Sequence, residues 1–274
     1  MLSLLLLLVN VLVPVFGVLY FDYLPDGSIN SPLIIILSII IGTICMLLTL
    51  AFYIELFYYT IAKRKPINSM MKHKVAKQMI VISLHITHTR VKVIGIENLP
   101  KNPSFSIYTN HTSMFDIPVL MYKLKDYPIA FLAKEVVGKI FSIGKWIEPL
   151  GCVLIDRSND RKGAEAIIKV IRNVKGGSSM VIFPEGTRSP KADELLPFKP
   201  GAFKVALKSK APLVPVTIIR PSGRDKKRWP LPKRVTVIIH KPIPFDEFKV
   251  MKSQELSDYV EGIIKKPIDE KFNK

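Results

Sequence analysis

The chain has 274 residues, 49% of them hydrophobic, with a mean hydropathy of +0.27 and a formal charge of +18. That is too apolar for a disordered chain, and two cysteines, Cys45 and Cys152, exclude a disulfide scaffold. The charge is split: residues 1–60 hold no Lys or Arg and only Asp22, Asp26 and Glu55, so all 40 basic groups belong to the remainder. A basic body suits nucleic acid or an anionic membrane surface, and the apolar front favours the membrane.

Met1 to Phe21 is almost wholly apolar, and about 20 such residues span a bilayer. A signal peptide is the competing reading, but there is no basic n-region and no A-x-A cleavage site. A polar turn follows from Asp22 to Pro32, then a second apolar stretch from Leu33 to Tyr53, then Lys63-Arg64-Lys65. By the positive-inside rule the body lies on the cytoplasmic side of the cell membrane. A hairpin dipping into one leaflet gives the same sidedness, so spanning and dipping both stay open. The expected organisation is a membrane hairpin over 1–61, an interfacial linker helix over 62–90 and an α/β domain over 91–274. Lys72, Lys74 and Lys77 of the linker face either lipid phosphates or water.

From Val91 short β runs alternate with helical stretches. The expected strands are Val91–Ile96, Ser104–Tyr108, Ile129–Leu132, Cys152–Ile155, Met180–Phe183, Leu213–Ile219 and Arg234–Ile239. The expected helices lie near Pro118–Leu124, Val136–Trp146, Lys162–Val174, Ala202–Lys208 and Ser253–Ile264. The fold class is α/β: a mixed central sheet flanked by helices, preceded by a hydrophobic two-helix membrane segment. The chain has no P-loop, no G-x-G-x-x-G and no zinc-ligand spacing, so no metal and no bound cofactor are expected.

Four blocks can carry chemistry. The first is Asn110-His111-x4-Asp116. A histidine base needs a partner that fixes its tautomer and stabilises the imidazolium, and a carboxylate does both. On one continuous helix the two side chains would sit roughly 140° apart, so they meet only across a bend. Pro118, tolerated only in a helix's first turn, puts the helix start near Asp116. The plainer alternative makes Asp116 an N-cap and His111 an ordinary loop residue.

The second block is Gly151 to Arg157, a strand with a cation at its end, where α/β sheets collect ligands and where a solvated arginine is equally ordinary. The third is Phe183-Pro-Glu185-Gly186-Thr187-Arg188-Ser189. Here Gly186 lets backbone approach a ligand, Arg188 can fork onto a phosphate, Thr187 adds a hydroxyl, and Glu185 binds a hydroxyl or orients Arg188. A surface turn with a Glu–Arg pair is the plainer reading. The fourth is Ala211-Pro212-Leu213-Val214-Pro215-Val216-Thr217, apolar with two prolines, so an edge or irregular strand that lines a channel or fills the core.

Together, and in this order, the four blocks resemble the 1-acyl-sn-glycerol-3-phosphate acyltransferase family over about residues 85–220. The resemblance implies that His111 is the general base and Asp116 its orienting carboxylate. It implies an acceptor phosphate and glycerol site at Glu185, Gly186, Thr187 and Arg188, with Arg157 and Lys134 as further contacts. Leu213, Val214, Pro215 and Val216 would line the acyl path. The reaction implied is acyl transfer from acyl-CoA or acyl carrier protein, as co-substrate, to the sn-2 hydroxyl of 1-acylglycerol 3-phosphate, giving phosphatidic acid. No nucleophilic Ser or Cys is needed, so transfer is direct. The implied partners are membrane phospholipid, lysophosphatidic acid and the acyl donor, with no specific nucleic acid. Another lysolipid, glycerol 3-phosphate, or a non-enzymatic membrane-tethered binder of anionic ligands are the alternatives.

Overall fold

The computed structural model describes Leu8, Leu12, Val13, Val15, Phe16 and residues 32–140, 144–156, 160–220 and 233–272. Most of the first apolar segment and the polar turn after it lie outside those residues. The chain divides into two compact units, Met1–Arg64 and Lys65–Lys274.

In the first unit helix α1 runs Pro32–Phe57 and continues as a π-helical turn, Tyr58–Ala62. Proline suits its first position because that N–H would have no partner anyway. The stretch Ile36–Ala62 has a mean hydropathy of 2.4 over its most apolar part, and is long and apolar enough to cross a membrane. Three of its hydroxyls find their acceptors within the helix. Thr43, Thr49 and Thr60 each donate to the carbonyl four residues back, at 2.8, 2.8 and 2.7 Å, as hydroxyls in lipid must. One of the two expected apolar helices is thus present among the described residues.

The second unit opens with α2, Met70–Ile86. It packs on helix α3 (Asp116–Lys123) and strand β1 (Thr89–Ile94), and of its three expected surface lysines only Lys74 is exposed, Lys72 and Lys77 being buried. The Lys77 ammonium donates to the carbonyls of Leu124 and Tyr127, both at 3.3 Å, and to that of Lys125. Lys72 donates to the carbonyl of Pro149. These acceptors lie at or just past the C-terminal ends of α3 and of the short helix Gly144–Ile147, the negative ends where a cation is stabilised. Burial pushes Lys77 down to about 8.

The remaining strands are β2 (Ser106–Thr109), β3 (Ile129–Lys134), β4 (Val153–Ile155), β5 (Ser179–Ile182), β6 (Leu213–Ile219) and β7 (Lys233–Ile239). All seven expected strands form, in the sheet order β1-β7-β6-β2-β5-β3-β4. Pairing is parallel except between β6 and β7, so the sheet is mixed. Helices α4 (Gly144–Ile147), α5 (Asp160–Lys175), α6 (Lys204–Ser209), α7 (Phe245–Phe248) and α8 (Ser253–Phe272) complete the unit. The strands β2 and β5 are buried at every residue, as expected when helices cover both faces. Edge strand β1 alternates instead, with Arg90, Lys92 and Ile94 outward.

Strand β6 corrects the expectation that its prolines would confine it to an edge, for it lies between β2 and β7. Pro215 accepts a hydrogen bond from the His240 N–H at 3.0 Å but cannot return one. The β6–β7 ladder therefore stops at Val216↔Ile239, while pairing to β2 continues through Pro215 to Leu213. The ring sits where its lost donor costs one bond at the end of a ladder. Tyr108 ties β2 to α6: its hydroxyl donates to the Ala202 carbonyl at 2.9 Å and accepts from the Ala206 N–H at 3.3 Å, while its ring stacks on Phe203 at 4.4 Å.

Candidate active site

Strands β6, β2, β5, β3 and β4 are mutually parallel, so their carboxyl ends share one edge, where ligands bind in open α/β sheets. Along that edge lie Arg220 after β6, His111 after β2, the Phe183–Ser189 turn after β5, Lys134 at the end of β3 and Asp156 after β4. Arg157 lies outside the described residues.

The chain bends between β2 and α3 as the spacing predicted. The His111 Nδ1–H donates to Asp116 Oδ2 at 2.8 Å, which leaves Nε2 as the basic nitrogen. Asp116 is fully buried, while His111 keeps 16% of its side chain exposed. Asp116 is not an N-cap: Phe115 holds that position, without a side-chain cap. Its carboxylate reaches back across the bend instead, where Oδ2 also accepts the N–H groups of Thr112 and Ser113 at 2.9 and 2.8 Å. The imidazole stacks on Phe183, with ring centroids 4.0 Å apart. Asn110 closes the end of β2 as a backbone would, giving its N–H to the Ile218 carbonyl at 2.9 Å and taking the Ile218 N–H at 2.7 Å.

Arg220 was not anticipated. It forks onto the outer oxygen of Asp116, with Nε and Nη2 at 2.8 and 2.6 Å from Oδ1. Its sequence signal was the one applied to Arg157, a cation directly after a strand, here β6. Burial alone would raise the Asp116 carboxyl. The hydrogen bond from His111, the charge of Arg220 and the Ser113 amide outweigh it and hold Asp116 below the ordinary carboxylate range.

The Phe183–Ser189 turn splits its side chains between the interior and solvent. Gly186 takes φ +76°, and its N–H closes the turn on the Phe183 carbonyl at 3.0 Å, a conformation that favours glycine. Thr187 and Arg188 face outward and are exposed. Glu185 faces inward: its carboxylate accepts the His111 N–H at 2.6 Å and the Leu196 N–H at 3.2 Å. The expected contact of Glu185 with a ligand or with Arg188 is thus replaced by an internal brace on the backbone of the histidine. The turn is fastened again by the Ser189 N–H on the His111 carbonyl at 2.7 Å.

Lys134 is exposed, about two strand spacings, or roughly 10 Å, along the edge from β2. Leu213, Val214 and Val216 have no exposed surface and Pro215 is buried. These four form core rather than the wall of an open channel, because β6 is covered on both faces. A cavity of about 380 Å³ lined by Asn68, Lys101, Asp126 and Tyr127 opens at the opposite edge, beside the segments that enter β2, β3 and β5, and does not reach His111.

Burial pushes Glu185 up from 4.5 to about 7. The folded protein therefore holds a proton there that the unfolded chain has released, so this group's stabilisation is complete below about 4.5 and is lost as the pH rises through about 7. The melting temperature of Glu185→Gln, subtracted from that of the native protein at each pH, should change across that window. A flat difference would show that Glu185 is ionised throughout.

Comparisons with known proteins fit this geometry. A family model described as acyltransferase matches residues 90–219. The chain is 36% identical over 177 residues to the chloroplastic 1-acyl-sn-glycerol-3-phosphate acyltransferase of Brassica napus, covering 62% of this chain and 50% of that one. It is 32% identical over 161 residues to the 1-acyl-sn-glycerol-3-phosphate acyltransferase of Borreliella burgdorferi, covering 59% and 64%. It thus spans less than two thirds of the length of these relatives. The crystal structure of the 1-acyl-sn-glycerophosphate (LPA) acyltransferase of Thermotoga maritima matches 83% of this chain and 96% of its own, with a TM-score of 0.62 at 28% identity.

Proposed function

We propose, from the premise that residues 90–219 belong to the acyltransferase family, that this protein acylates the sn-2 hydroxyl of 1-acylglycerol 3-phosphate to give phosphatidic acid. The observation that carries the reading is the His111–Asp116 hydrogen bond of 2.8 Å, with its carboxylate fully buried, on the same sheet edge as the exposed Arg188. The acceptor hydroxyl attacks the carbonyl carbon of the acyl thioester while its proton passes to Nε2 of His111. The tetrahedral adduct then expels the thiolate, which takes that proton back from the imidazolium, leaving an ester and a free thiol. Asp116 stabilises the imidazolium between the two steps. Transfer is direct, for Cys152 is buried with its thiol pushed up to about 12 and is no nucleophile.

Arg188 and Thr187 receive the acceptor's phosphate, and Lys134 supplies a further cation along the edge. The donor is acyl-CoA or acyl carrier protein, both acidic and suited to a basic surface. Helix α1 holds the protein to the membrane in which its acceptor resides.

The test is an assay of the purified protein with either donor and a panel of lysolipids, reading thiol release and product mass. Acceptor-dependent thiol release with phosphatidic acid as product is expected. Release with another lysolipid alone would move the substrate, and no release with any acceptor would leave a binder. In the same assay Arg188→Ala should raise the KM for acceptor about 10–100-fold, since a charge-assisted bond contributes about 1.5–3 kcal/mol, with the donor KM unchanged. Arg188→Lys should recover only part, as an ammonium lacks the planar fork. A raised donor KM with an unchanged acceptor KM would assign Arg188 to the donor.

A further inference from the structure

The acyltransferase reading needs a base and its carboxylate, yet the carboxylate here has a second partner that the reading does not use. Arg220 places two donors on Asp116 Oδ1, at 2.8 and 2.6 Å, while Oδ2 serves His111 and two backbone amides. The guanidinium keeps only 12% of its side chain exposed and the carboxylate none. A planar fork against a planar carboxylate fixes its orientation as well as its charge.

We propose that Arg220 is a positioning residue of the base: it aims the Asp116 carboxylate at His111 and cancels its charge, so that Arg220, Asp116 and His111 together are neutral before proton uptake and carry +1 after it. Without Arg220 the same step would run from −1 to neutral. Two consequences separate these cases. The positive charge that appears on proton uptake lies at the edge where the thioester oxygen gains negative charge. And an unbalanced Asp116 would hold a proton on His111 to higher pH, removing the base where it is needed. Among the described residues, the other groups facing His111 are Glu185, at its backbone N–H, and Phe183, against its ring; Arg188 lies exposed on the same turn. Glu185 titrates in the same pH range, but it is common to all the proteins compared and cancels in the difference.

This inference rests on the acyltransferase reading for its kinetic arm only. Three full-length proteins are compared: native, Arg220→Met, which removes charge and donors at similar length, and Arg220→Lys, which keeps the charge. In the kinetic arm Arg220→Met should lower the plateau kcat about tenfold, leave the KM of both substrates within about threefold, and move the acid limb of kcat/KM upward by about one unit. Arg220→Lys should keep the native limb with part of the kcat lost. In the second arm, diethyl pyrocarbonate modification of His111 is followed by mass spectrometry against pH, which needs no turnover because only the neutral imidazole reacts. Its midpoint should move up by about one unit in Arg220→Met and stay in place in Arg220→Lys. An unmoved midpoint overturns the proposal whether or not the native protein turns over lysolipid. So does a raised acceptor KM at unchanged kcat, which would make Arg220 a phosphate ligand. A native protein without turnover but with the midpoint shift would overturn the acyltransferase reading and keep Arg220 as the partner that sets the charge of the pair.

Discussion

His111→Ala should lose nearly all turnover, on the order of 10²–10⁴-fold, while the protein still folds. A positioned general base contributes about that much, and no second base lies on the same bend: Asp116 is buried and Glu185 is occupied by backbone amides. Folding should survive because the imidazole is partly exposed and the bend keeps its backbone bonds, from Ser189 N–H to His111 O and from His111 N–H to Glu185. What is lost structurally is the face-to-face contact with Phe183. The measurement is kcat for lysophosphatidic acid beside a melting curve and circular dichroism. Retention of more than about a third of native turnover by a folded variant would remove His111 from the mechanism.

Asp116→Asn should cost nearly as much rate, and unlike His111→Ala it should also cost stability. The native carboxylate only accepts, taking five hydrogen bonds from His111, Thr112, Ser113 and Arg220. A carboxamide must turn its NH2 toward one side or the other. Facing Arg220 it sets donor against donor; facing His111 it forces the other ring tautomer, with the proton on Nε2, where no base remains. Either way the guanidinium loses its counter-charge, and removing one partner of a buried pair costs about 3–5 kcal/mol. The expected result is a turnover loss of about 10²–10⁴-fold, measured well below a visibly lowered melting temperature. A variant that melts earlier but keeps more than about a third of its kcat would show that Asp116 only fastens the bend.

The features legible in the sequence were those whose causes are local. Seven β-rich runs became seven strands, because β-branched runs between turn residues specify strands whatever their partners. His111 and Asp116 are five residues apart, and Pro118 announced the bend that joins them. The helix expected over Val136–Trp146 is a 3-10 turn, Glu135–Lys139, and a separate short helix, Gly144–Ile147; Gly138 and Gly144 weaken a continuous helix there. The buried lysines of α2 were read as surface because a lysine is rarely buried without partners. Those partners are backbone carbonyls just past two other helices, 47 to 50 positions on for Lys77 and 77 for Lys72. Arg220 escaped for the same reason, since its carboxylate is 104 positions away. Glu185 reads from sequence as an acceptor ligand or as half of a surface pair with Arg188, because nothing local says which side chain of the turn points inward.

The sheet order also dictates when the site can exist during synthesis. Strand β1 emerges first of the seven, yet among the described strands it pairs with β7 alone, and Asn98 beyond it waits for the Ile239 carbonyl, 141 positions later. Until then the ribosome has released a strand with both edges open, and contacts this distant are slow to form because so much chain must be closed first. His111 and Asp116 can meet as soon as their bend is made. The brace from Glu185 arrives 74 positions after His111, and Arg220 comes later still. A nascent chain therefore carries the base pair before it carries the groups that hold it rigid, and it gains the completed site only as its last strands dock.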